Sequence, residues 1–103
     1  MTRSLEQNAI FHAWCGLIAL HLRNQDVPAS ADMVKELVLL KLGNTSMLLG
    51  EKVAMRSSKY KMTERELTVE DHKRGFICFV DLLTKIEAWA ATDLQLDLVR
   101  TVA

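Results

Sequence analysis

The sequence predicts one α+β domain, mainly helical, with about three helices and a small β-hairpin. Three observations carry that prediction. The chain has 103 residues, and a domain usually takes roughly 100–200. Apolar residues recur at helical spacing in three separate segments. Around Gly50 the pattern changes to short apolar runs about a turn residue. With 50% of residues hydrophobic and 25% charged, the composition is that of a folded domain rather than a disordered one. No internal repeat, linker or low-complexity stretch divides residues 1–103.

The first helix opens on Ser4-Leu5-Glu6-Gln7, a capping-box pattern in which the Ser4 hydroxyl serves an orphan amide and Gln7 reaches back. Ile10/Phe11, Trp14, Leu17/Ile18 and Leu22 then trace one buried stripe, ending near Asn24, with Pro28 as the break. Gly16 marks a weak point in that helix and the close approach of another element. A second helix starts at Ser30, with Asp32 in its first turn, where the helix dipole favours an anion. Met33, Leu37 and Leu40 form one stripe of it and Val34 and Val38 another, so most of its circumference is expected to be covered. Gly43 closes it. Met47-Leu48-Leu49, Gly50 and Val53-Ala54-Met55 read as short strands with a turn at Gly50. Thr68-Val69-Glu70-Asp71 starts a third helix running to about Ala91, with Phe76, Val80, Leu83 and Ile86 or Ala90 on its apolar stripe. Asp93 to Val99 alternates strictly, as an edge strand does; a frayed helical end is the competing reading.

A chain this short buries a little over 60% of its unfolded surface. Helices apolar on more than one stripe therefore call for a second copy, and a homodimer is expected.

Thirteen basic residues balance thirteen acidic ones, so the whole chain sets up no strong field. Locally the balance breaks: Lys52 to Arg74 holds seven basic and four acidic residues, while 26–51 and 75–103 each carry two excess negatives. An anionic partner is thus drawn to the neighbourhood of Lys52–Arg65.

Several classes lack their residues. Cys15 and Cys78 are too few and too far apart for a zinc ribbon or a disulfide framework and read as buried thiols. No apolar run reaches the roughly 18 residues of a membrane span, and Met1-Thr2-Arg3-Ser4-Leu5-Glu6 is not a signal peptide's apolar stretch. The chain reads as intracellular. There is no Gly-x-Ser-x-Gly and no phosphate-cradling glycine loop. His12 and His21, nine residues apart, fall on opposite sides of one helix, and His72 lies in another. Glu64, Glu66, Glu70 and Asp71 read as a solvated cluster at a helix start, too generic for a magnesium site. No enzyme chemistry, metal or cofactor is indicated.

Lys52–Arg65 is more informative. It combines five cations (Lys52, Arg56, Lys59, Lys61, Arg65) with Ser57, Ser58 and Tyr60, against one acid, Glu64. Cations contact phosphates, hydroxyls donate hydrogen bonds, and a tyrosine ring stacks on an unpaired base, a mixture suited to single strands. A solvated hairpin whose charges merely prevent edge-to-edge aggregation explains the same composition.

The opening Arg3-Ser4-Leu5-Glu6-Gln7-Asn8, with His12-Ala13-Trp14 and Gly16, resembles the Arg-Ser-Leu-x-Gln-Asn signature of the phage NinB/Orf-like recombination proteins. Val27-Pro28-Ala29-Ser30 leading into a helix looks like that family's second helical segment. Met55-Arg56-Ser57-Ser58-Lys59-Tyr60-Lys61-Met62 resembles its Ser-Thr-Ser-Arg/Lys stretch, and Phe76 to Ala91 its closing helix. The likeness covers nearly the whole chain, with only the first motif specific. Two features depart from it: the family's strand-forming segment ahead of the signature has no counterpart here, and Thr63–Asp71 is longer.

The resemblance implies an α+β homodimer in a bacterial host's cytoplasm that binds single-stranded DNA. It implies contact with the host's single-strand-binding protein and help in loading a recombinase or annealing protein onto coated strands, without covalent chemistry. Arg56, Lys59 and Lys61, with Lys52 and Arg65, are then the phosphate contacts, Tyr60 a stacking ring, and Ser57 and Ser58 hydrogen-bond donors. Arg3, Gln7 and Asn8 match the signature at a helix N-terminus, where backbone amides attract anions; Gln7 is equally explained as part of a cap. Trp14 is expected in the core or a subunit seam. The alternative is a helical protein-interaction module without DNA binding.

Overall fold

The computed structural model describes residues 5–55 and 66–102. Among them are five helices, α1 (Leu5–Arg23), α2 (Ala31–Leu42), α3 (Val69–Lys73), α4 (Phe79–Asp93) and α5 (Leu98–Val102), and one antiparallel hairpin of β1 (Thr45–Leu48) and β2 (Glu51–Ala54). The fold class is α+β, as the patterns above require.

α1 is the central element and packs against α2, α4 and α5. Its stripe of Phe11, Trp14, Cys15, Ile18 and Ala19 is buried, joined in one cluster by Val34, Val38 and Leu39 of α2, by Phe79, Leu82, Leu83, Ile86 and Ala90 of α4, and by Leu98. Phe11 and Phe79 meet edge to face at 5.5 Å, a geometry the ring quadrupoles favour. Trp14 belongs to this core. Gly16, by contrast, has nothing within 4 Å of where a Cβ would stand, so no element approaches it closely.

The helix ends show why the chain turns where it does. α1 stops in a Schellman motif: Asp26 adopts φ 62°, its N–H bonds the Arg23 carbonyl at 3.0 Å, and the Val27 N–H returns to Leu22 O at 2.9 Å. Pro28 follows. Ser30 caps α2, its hydroxyl accepting from the Met33 N–H at 3.2 Å. Only one stripe of α2 is covered. Val34, Val38 and Leu39 are buried, whereas Met33 and Leu37 are 58% and 44% exposed, because no described element lies against that side.

The expected third helix, Val69 to Ala91, is two helices. Thr68 and Asp71 form a complete capping box, the Thr68 N–H donating to the carboxylate at 2.9 Å and the Asp71 N–H to the Thr68 hydroxyl at 3.0 Å. Asp71 is buried by this role rather than solvated. After five residues Gly75 takes φ +77°. Its N–H bonds His72 O and the Phe76 N–H bonds Asp71 O, a second Schellman stop. α4 restarts after Cys78, and Val80, expected on the buried stripe, is 52% exposed.

The alternating tail is no strand. Gln95 at φ 53° turns the chain, the Leu96 N–H returns to Ala90 O, and α5 follows, with the Arg100 N–H on the Asp97 carboxylate. The alternation arises because Leu94 and Leu96 pack on the core from the turn and Leu98, the first residue of α5, is buried in it.

In the hairpin Thr45 pairs with Ala54, Ser46 with Val53, Met47 with Lys52 and Leu48 with Glu51. The two turn residues, Leu49 (φ 51°) and Gly50 (φ 82°), both have positive φ, as a type I′ turn requires. Glycine adopts this freely; leucine pays roughly 1–2 kcal/mol for it. Ala54 packs on the core and β2 touches α2, but the tip stands clear: Met47, Leu48 and Leu49 are 66%, 61% and 96% exposed.

Candidate nucleic-acid interface

The base of the hairpin is held by Asn44, a residue with no functional signal in the sequence. Its side chain is almost wholly buried (1% exposed). The amide donates from Nδ2 to Ile77 O at 3.0 Å and accepts at Oδ1 from the Ile77 N–H at 2.8 Å. One side chain thus pairs with both polar groups of a backbone unit, as a neighbouring strand would. The Asn44 carbonyl meanwhile accepts the Met55 N–H at 2.9 Å, continuing the ladder past Ala54. The chain therefore leaves the hairpin at a fixed point, Met55, and is anchored again at Leu67, which is buried. In the sequence, Arg56 to Arg65 fall between these two residues.

Of the residues expected to contact DNA, Lys52 is exposed on β2 and shares a face of the ribbon with Met47. Gln7 and Asn8 lie half-buried in the first turns of α1, each already engaged in an interaction of its own. Arg3, Arg56, Ser57, Ser58, Lys59, Tyr60, Lys61 and Arg65 lie outside the described residues, as do Ser4 and Glu64.

Among the described residues no three His, Cys, Asp or Glu side chains come together as a metal-binding group. His12 is exposed, its ring 5.6 Å from that of Phe11, and His72 is exposed on α3. His21 has a structural task, bonding Leu94 O through Nε2 at 2.8 Å. A carbonyl only accepts, so Nε2 carries the proton and ties α1 to the C-terminal end of α4. Gln25 lies 3.3 Å from the same nitrogen, and its amide oxygen, not its NH₂, is the group that suits that position. Glu70 pairs with Arg74 at 3.5 Å on the surface, a contact of little energetic weight.

Both cysteines are free and buried. Burial pushes the Cys15 thiol up to about 11, against a smaller opposing pull from Lys35. Cys78 occupies the N-cap of α4, where a helix dipole normally favours a thiolate, yet burial raises it too. Neither is an activated nucleophile. No described helix is long and apolar enough to cross a membrane.

No family model matches the chain, and no curated protein or solved structure matches it either.

Proposed function

We propose that the chain is a recombination mediator of the phage NinB/Orf-like kind. It binds single-stranded DNA and helps load a recombinase or annealing protein onto strands coated with single-strand-binding protein, without catalysing a covalent step. One observation carries this reading: five cations, two serines and a tyrosine against a single acid within Lys52–Arg65, in a chain whose net charge is zero. The signature Arg3 to Asn8 supports it by resemblance. A second copy of the chain belongs to the same reading, supported by the exposed Leu20, Met33 and Leu37.

Binding would proceed by counterion release from phosphates, with Tyr60 against an unstacked base. If about four phosphates are neutralised, affinity falls with salt at a log–log slope near −3, at roughly 0.7 per contact on single strands. Fluorescence anisotropy with a labelled oligonucleotide measures this. Single strands are expected to outcompete duplex, and the Arg56→Ala/Lys59→Ala/Lys61→Ala variant to lose most of the affinity. A flat salt response, or equal binding by that variant, refutes the reading; cleavage on adding magnesium would point instead to a nuclease.

One observation favours the alternative, a protein-interaction module without DNA binding: the apolar hairpin tip. That reading predicts no oligonucleotide binding above background at moderate salt.

A further inference from the structure

We draw no further inference here: the strongest candidate, the exposed apolar patch of Met47, Leu48 and Leu49 at the tip of the β1–β2 hairpin, carries nothing because nothing among the described residues shows what covers it.

Discussion

Replacing Asn44 with alanine tests what positions the hairpin and the start of the cationic stretch. The side chain makes two hydrogen bonds to Ile77, at 3.0 and 2.8 Å, from an almost fully enclosed position. Truncation leaves both the Ile77 N–H and its carbonyl without that partner. A buried group left unpaired costs about 1–3 kcal/mol; Ile77 is only half-buried, so water partly rescues it and about 2–4 kcal/mol for the pair is expected. At roughly 4–5 °C per kcal/mol for a domain near 100 residues, the melting temperature falls by about 10–20 °C. Urea unfolding followed at 222 nm should show a lower midpoint with an unchanged slope, and the Ile77 amide should lose hydrogen-exchange protection. Asn44→Asp sharpens the test. As a carboxylate it still accepts from the Ile77 N–H but faces the Ile77 carbonyl with a second acceptor, so it should be at least as damaging as alanine at neutral pH. When protonated it donates again, so part of the loss should be recovered in acid relative to Asn44→Ala. A loss below about 0.5 kcal/mol for Asn44→Ala, within the range of ordinary surface changes, would refute the tether.

Three further outcomes follow from the same geometry. Gly16→Ala, in a helix interior with open space for a Cβ, should stabilise by about 0.5–1 kcal/mol, while Gly75→Ala, at φ +77°, should destabilise by about 1 kcal/mol; thermal melts of the two variants must move in opposite directions. Cys15, with its thiol at about 11, is about a thousandth ionised at pH 8 and should react with a disulfide reagent far more slowly than a free thiol. Because the unfolded thiol ionises near 9 and the folded one near 11, the unfolded state binds fewer protons in that window. Stability should therefore fall from pH 9 to 11, by an amount on the order of 2–3 kcal/mol that Cys15→Ala abolishes. Thr68→Ala removes half of the α3 capping box and should cost about 1 kcal/mol, whereas Thr68→Ser should restore it.

What the sequence determined by itself is whatever depends on near neighbours. The helical spacing from Ile10 to Leu22, the Ser30 cap, the Thr68–Asp71 box and the turn at Gly50 all appear in the structure, because caps, stripes and tight turns are made within a few residues. The cation-rich stretch that defines the candidate interface was equally legible, as composition alone, and most of it lies outside the described residues. Tertiary structure decided the rest. Alternating leucines from 94 to 98 read as a strand, yet Leu94 and Leu96 pack on the core from the turn made by Gln95 and the Leu96 N–H bond to Ala90 O, and Leu98 from the start of α5, which packs on α1 and α4. Gly75 ends a helix within the expected single one, and α4 restarts only after Cys78, with the Ile77 backbone between the two helices held by Asn44, 33 residues away in the chain. Which stripe of α2 is buried depended on where α1 and α4 lie. That Met47, Leu48 and Leu49 point into solvent depended on how far the hairpin reaches beyond α2. Periodicity ranks which residues want to be buried; only the packed neighbours decide which of them are.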